Sequence, residues 1–161
     1  ITMVGDLLNG RTVHSLAKLI TRYEAHDTRL CFVSPSSLKM PQRIIDLLQA
    51  KGLSVYNTND LSEVLSDSDV IYWTRVQEER FENAADYAHI KDSFIITPQL
   101  LKHAKPNAIL MHPLPRKHEM GAAHDHDLLD VDPRSVYFQQ MENGMLVRMA
   151  LLAKVLRGAY V

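Results

Sequence analysis

The chain has 161 residues, 46% of them hydrophobic and 23% charged, with 18 Lys and Arg against 19 Asp and Glu, the profile of one soluble globular domain. That balance excludes a disordered or collagen-like chain, and a net charge of −1 argues against broad attraction to nucleic acid or membrane. A chain of this size buries roughly two-thirds of the surface its unfolded form exposes, so a core forms without disulfides or a structural metal. Cys31, the single cysteine, lies inside the apolar run Leu30-Cys31-Phe32-Val33 and reads as a buried thiol, which points to a reducing, cytoplasmic setting. No apolar stretch approaches the ~18 residues of a membrane span, and Ile1-Thr2-Met3-Val4 reads as a strand, not as part of a targeting segment.

The strand Ile1 to Val4 ends at Gly5-Asp6, and Val13, Leu16, Ala17, Leu19, Ile20 and Tyr23 then recur at helical spacing. Leu30 to Val33 is a second strand, bounded by Ser34-Pro35 and followed after Pro41 by a helix that faces Ile44, Ile45 and Leu48 inward and stops at Gly52. Leu53 to Tyr56 makes a third strand, Asp60 caps a short helix carrying Leu61, Val64 and Leu65, and Val70 to Trp73 makes a fourth strand. Phe94-Ile95-Ile96, a helix from Pro98 to Ala104, and Ala108 to Met111 continue the alternation. Gly121 to Asp132 reads as a mobile surface loop. Met145, Met149, Leu152, Ala153 and Leu156 line one face of a long terminal helix, which either completes this domain's core or docks on a segment of a larger protein. Near-continuous apolar strands alternating with amphipathic helices predict a doubly wound, Rossmann-like α/β fold, with a parallel sheet covered on both faces.

In such a sheet ligands bind at the carboxyl ends of the strands, so three loops carry the functional reading. After the first strand, Gly5-Asp6-Leu7-Leu8-Asn9-Gly10-Arg11-Thr12 places Arg11 and Thr12 at a helix start, where backbone N–H groups and a guanidinium suit a carboxylate or phosphate. The loop lacks both the three spaced glycines of dinucleotide sites and the Gly-Lys-Ser/Thr of phosphate loops, which speaks against a dinucleotide-dependent oxidoreductase. After the fourth strand, Arg75 and Gln77 project to one side if the chain stays extended, and Glu79 is available to orient an arginine; the alternative is a salt-bridged helix start. In Met111-His112-Pro113-Leu114-Pro115-Arg116, stiff prolines present the Pro113 and Leu114 carbonyls to an amine, or merely end a strand, while His112 reads as scaffolding or an acid–base group. Two arginines, an amide and rigid carbonyls fit a small dicarboxylate bearing an amine. His124, Asp125, His126 and Asp127, with Asp130 nearby, make only a weak metal motif.

The segments GDLLNGRTVHS, SPSSLKMP, DVIYWTRVQEERF, MHPLPR and YFQQMENGMLVRMALLAKVL resemble, in order and spacing, the carboxy-terminal, aspartate-binding domain of aspartate carbamoyltransferase, over essentially residues 1–161. HPLP favours the aspartate enzyme over the ornithine enzymes, which typically carry a cysteine in that loop. Two stretches depart from the family pattern: Leu8-Asn9, where Lys-Tyr or a similar pair is common, and a longer, His-rich Lys117 to Leu129. The resemblance implies transfer of the carbamoyl group of carbamoyl phosphate to L-aspartate, early in pyrimidine synthesis, with no metal or organic cofactor. It assigns Arg11 and Thr12 to one carboxylate, Arg75 and Gln77 to the other, Glu79 to orienting Arg75, and the Pro113 and Leu114 carbonyls to the attacking nitrogen. Arg80 would reach an acidic residue of the carbamoyl-phosphate domain, a partner that this chain does not contain. The parent enzyme is expected to be a homotrimer or higher oligomer, and the chain alone is expected to be inactive. The competing reading is a non-catalytic, carbamoyltransferase-like binding or assembly module.

Overall fold

A computed structural model describes residues 1–23, 27–81, 83–92 and 94–157, apart from the side chains of residues 79, 84, 86 and 89. Five strands, β1 (Thr2–Val4), β2 (Arg29–Val33), β3 (Ser54–Thr58), β4 (Val70–Trp73) and β5 (Ile109–Met111), form one parallel sheet in the order β3-β2-β1-β4-β5. Growth runs outward from β1 to β3, and the chain then crosses back to lay β4 on the other side of β1. This reversal opens a crevice between the exits of β1 and β4.

The pleat sends alternate residues to opposite faces, and both faces are apolar. Met3, Leu30, Phe32 and Tyr72 face one layer, covered by α1 (Arg11–Ile20) through Val13 and Ala17 and by α2 (Gln42–Ala50) through Ile44 and Leu48. Val4, Cys31, Val33, Ile71, Trp73 and Leu110 face the other, against Ile96, Leu101, Met120, Leu129 and Tyr137. That second cover comes from α4 (Pro98–Leu101), α5 (Ala123–Asp130) and the first turn of α6 (Tyr137–Leu156). Each fully buried side chain of this size contributes about 1.5–3 kcal/mol. A remaining helix, α3 (Ala84–Ile90), follows β4, with Asn83 accepting from the Ala85 N–H. The doubly wound reading is therefore met, and Cys31 is buried as expected. Among the described residues no helix is long and apolar enough to cross a membrane.

Several local expectations are corrected. Asp60 does cap the turn after β3, accepting from the Ser62 N–H, but Leu61–Glu63 and Leu65–Asp67 are two separate 3-10 turns. Phe94-Ile95-Ile96 is not a strand. The outer edge of β5 is occupied instead by Arg134 to Val136: the Leu110 N–H donates to the Arg134 carbonyl, and the Val136 N–H donates back to Leu110. Ile96 is buried in the core, and its N–H goes to the Glu119 carbonyl. The expected mobile loop at Gly121 to Asp132 contains α5, because Asp125 accepts from the Ala122 N–H at its start and Leu129 anchors it in the core. The helix predicted from Pro98 ends at Leu101.

The terminal helix does not complete this domain's core. Tyr137 is its one buried residue, whereas Met145, Met149, Leu152 and Leu156 are 52–81% exposed. The layer beneath is already filled by Leu101, Met120 and Leu129, so the helix leaves the body after its first turns.

Gly5, at φ +116°, lies so close to the β4 exit that a Cβ there would stand 2.1 Å from the Thr74 carbonyl oxygen. Gly52 also has positive φ, +78°, but nothing lies within 4 Å of its would-be Cβ. Gly52→Ala should therefore cost only the left-handed penalty, about 1–2 kcal/mol. Gly5→Ala adds a backbone collision and should cost more than about 3 kcal/mol, or a melting temperature lower by at least roughly 6 °C, measured by calorimetry. Equal losses for the two variants would show that the β1–β4 approach is not tight.

Candidate functional site

At the carboxyl edge of the sheet, the exits of β1, β4 and β5 surround a cavity of about 230 Å³ lined by Gly10, Arg11, Thr12, Thr74, Arg75, Gln77 and His112 to Pro115. Larger hollows lie along exposed α6 and at the opposite, amino edge of the sheet, away from the switch point. Six residues singled out in the sequence, Arg11, Thr12, Arg75, Gln77, Pro113 and Leu114, thus share one wall-to-wall site.

Each loop has a local reason for its shape. Asp6 is fully buried and accepts from the Asn9 backbone and side-chain amides at 2.9 and 3.2 Å, and the Leu7 N–H donates to the Leu38 carbonyl. These bonds fold the β1 exit so that α1 begins at Arg11, which is exposed at the cavity with Thr12. Beyond β4 the chain stays extended to Gln77. Val76 turns inward onto Leu38 and Tyr87, so Arg75 and Gln77, one residue to either side, share the cavity face. The side chain of Glu79, expected to orient Arg75, is outside the described residues. Arg80 is exposed in the 3-10 turn Glu78–Arg80 and does not line the cavity.

The β5 exit is held most tightly. Leu114 has φ +48°, rare for a branched side chain, and the Leu114–Pro115 peptide is cis. The Leu114 N–H donates to His112 Nδ1 at 2.9 Å, so that nitrogen carries no proton, and Nε2 lies 3.1 Å from Glu119 Oε1. His112 is therefore scaffolding, buried 99% from solvent. Burial opposes the charge on Glu119, but His112 and the Lys117 N–H outweigh it and hold its pKa below the usual value.

Sequence reasoning missed the layer beneath. Gln140 of α6 braces the β5 exit: its Oε1 accepts from the His112 N–H at 3.0 Å. Burial raises the Tyr72 pKa, against a smaller opposing pull from Thr12 and Gln140. The only signal was the place of Gln140 three residues after Tyr137, the buried residue of this helix. Asp130, weighed as a metal neighbour, is instead paired with Arg116, whose Nη2 lies 2.8 Å from Oδ2, and with the Tyr137 hydroxyl. The Arg116 guanidinium also stacks 5.8 and 5.6 Å from the ring centres of Tyr137 and Phe138. His124 and His126 are two residues apart on α5 and point to different sides, and among the described residues no three His, Cys, Asp or Glu side chains converge as a metal site.

The sequence profile described as "Aspartate/ornithine carbamoyltransferase, Asp/Orn binding domain" matches residues 1–155. The chain belongs to this family. It is 44% identical over 154 residues to the aspartate carbamoyltransferase catalytic subunit of Bifidobacterium longum, covering 95% of this chain and 46% of that one. It is 49% identical over 155 residues to the multifunctional protein pyr1-3 of Dictyostelium discoideum, covering 96% of this chain and 7% of that protein. The Trypanosoma cruzi aspartate transcarbamoylase crystallised with aspartate and phosphate superposes with a TM-score of 0.77 at 40% identity, covering 94% of this chain and 45% of that one. The M. jannaschii catalytic subunit gives 0.82 at 39%, covering 97% and 48%. The chain thus spans about half the length of the single-enzyme relatives.

Three carboxylates beside the β5 exit tie stability to pH. Hydrogen bonds from Arg116 and Arg134 lower the pKa of Asp130 and Asp132, as His112 helps to do for Glu119. A folded-state pKa below the unfolded value gives stability that is complete above the ordinary values, 3.8 for Asp and 4.5 for Glu, and is lost as pH falls through the lower folded values. Urea midpoints should hold between pH 7 and 5.5 and fall steeply from about pH 4.5 downward. Asp130→Asn should lower the midpoint at pH 7 and flatten that fall. An unchanged acid limb in Asp130→Asn would contradict the assignment.

Proposed function

We propose that this chain is the aspartate-binding half of an aspartate carbamoyltransferase acting in de novo pyrimidine synthesis. The observation that carries this reading is the meeting of Arg11, Thr12, Arg75, Gln77, Pro113 and Leu114 at one cavity on the switch point. Arg11 and Thr12 hold one carboxylate at the start of α1, where the helix dipole adds to the guanidinium. Arg75 and Gln77 hold the other, and the Pro113 and Leu114 carbonyls accept from the amine and fix its direction. Two arginines around one cavity favour a dicarboxylate over ornithine, whose side-chain ammonium they would repel.

The amine lone pair attacks the carbonyl carbon of carbamoyl phosphate, a C–N bond forms, the bond to the phosphate oxygen breaks, and the nitrogen sheds a proton. Phosphate binding and stabilisation of the tetrahedral oxyanion fall to the carbamoyl-phosphate domain, which Arg80 reaches on closure. The exposed apolar face of α6 suits contact with a further domain of the same enzyme. The whole enzyme is a homotrimer or a larger assembly of such subunits, and the chain by itself supplies a clamp without turnover.

In the complete two-domain enzyme, Arg75→Ala should lower kcat/KM for aspartate by about 1.5 to 3.5 powers of ten, since stranding the partner of a desolvated charge costs roughly 2–5 kcal/mol. Arg75→Lys should not rescue it, because an ammonium cannot make two parallel bonds to a carboxylate. The melting temperature should move by less than about 3 °C. Unfolding with intact aspartate kinetics would make Arg75 structural, and N-carbamoylaspartate formation by the isolated chain would overturn the half-site reading.

A further inference from the structure

Glu119, in the 3-10 turn His118–Met120, is 3% exposed and lies outside the cavity lining. Its place is fixed locally: the neighbouring Met120 is buried in the core, and the Ile96 N–H donates to the Glu119 carbonyl at 2.9 Å. One carboxylate oxygen, Oε1, serves two groups at once, accepting from the Lys117 N–H at 2.8 Å and lying 3.1 Å from His112 Nε2. A bare nitrogen lone pair would be repelled there, so the carboxylate favours the tautomer with its proton on Nε2. That tautomer leaves Nδ1 bare, and Nδ1 is the atom that takes the Leu114 N–H at 2.9 Å, where the backbone turns left-handed at φ +48°. A proton on Nδ1 would set two donors face to face and release Leu114.

We infer that Glu119 is a positioning residue: through the ring of His112 it holds the Leu114 backbone, and so aims the Pro113 and Leu114 carbonyls at the attacking amine. The contacts run in one order, from Glu119 to the His112 ring to the Leu114 N–H. What they require at position 119 is an acceptor at Oε1, since the Lys117 N–H would hold the amide oxygen of a glutamine in the same place. Asparagine at position 112 would bypass the arrangement. Its Oδ1 stands as many bonds from Cα as His112 Nδ1 and can only accept, so the Leu114 N–H keeps a partner whatever stands at position 119. The inference rests on the aspartate-site reading for its kinetic consequence and on these contacts alone for its structural one.

The ring nitrogens of His112 give the first test, by long-range proton–nitrogen correlation NMR on the unaltered chain. A single tautomer with Nε2 protonated and Nδ1 bare is expected, and a protonated Nδ1 would overturn the inference; this test stands even if a variant does not fold. Amide hydrogen exchange gives the second, with Leu110 of the same strand as the reference for any general loss of stability. Glu119→Met should quicken exchange at Leu114 by about tenfold relative to Leu110, whereas Glu119→Gln should stay within about twofold of wild type. In the His112→Asn background, Glu119→Met should bring no further rise at Leu114, because the link it cuts is already bypassed. In the complete two-domain enzyme Glu119→Met should lower kcat/KM for aspartate by about tenfold to a hundredfold, with KM for carbamoyl phosphate within about twofold and most of the loss absent in Glu119→Gln. Equal quickening at Leu114 and Leu110 in Glu119→Met, a rise at Leu114 that persists in the His112→Asn background, or loss shared equally by both substrates would overturn the inference. If the wild-type two-domain enzyme transfers nothing to aspartate, the functional reading fails, while the tautomer and the exchange ratio still decide whether Glu119 holds the loop.

Discussion

Everything in this domain that resembles a binding site depends on how closely the β1 exit can lie against the β4 exit. The two strands are hydrogen-bonded neighbours although sixty-odd residues of chain lie between them, with Val4 opposite Trp73 and the Thr74 N–H donating to the Val4 carbonyl. Immediately beyond, Gly5 passes the Thr74 carbonyl at a distance that leaves no room for a side chain. A bulkier residue would push the two exits apart and with them Arg11 from Arg75. The cavity shared by Arg11 and Arg75 is thus a consequence of backbone proximity at a topological reversal.

The second constraint is electrostatic. Two guanidinium groups lining one small cavity favour an anionic ligand over a cationic one, a demand that the proposed dicarboxylate meets. Rigid supports on the third side, the His112–Leu114 hydrogen bond and the buried His112–Glu119 contact, keep the carbonyls of the β5 exit in place while that demand is met. Preorganisation of this kind matters most where binding also has to aim an amine. It also explains a cost in acid, because the carboxylates that brace the loop work only when ionised.

How much of this was legible in the sequence follows from where each determinant lies. Short apolar runs ended by Gly or Ser-Pro mark β1, β2 and β4, and alternation around Val76 places Arg75 and Gln77 on one side; these are local signals. Phe94-Ile95-Ile96 carries the same local signal as a strand, yet the edge it would need is taken by Ser135, a competition visible only in three dimensions. The His- and Asp-rich segment looked like a loop because its anchor, Leu129, is a single residue, and because the partner of Asp130, Arg116, is fourteen positions away. Gln140 carried almost no signal, since its partner, the His112 N–H, is 28 positions away and its own helix is read through its methionines and leucines. The filled core under Tyr137 keeps the rest of that helix from completing this domain's core.

The central claim is that these three strand exits form a single site for a dicarboxylate. Titrating the chain with L-aspartate while recording backbone amide resonances tests it directly, with L-asparagine as the control that keeps the amine and removes one charge. The account predicts weak, saturable shifts concentrated at Gly10 to Thr12, Thr74 to Gln77 and His112 to Leu114, and much smaller ones with L-asparagine. Shifts centred on the amino edge of the sheet or on α6, or equal responses to the two ligands, would contradict it.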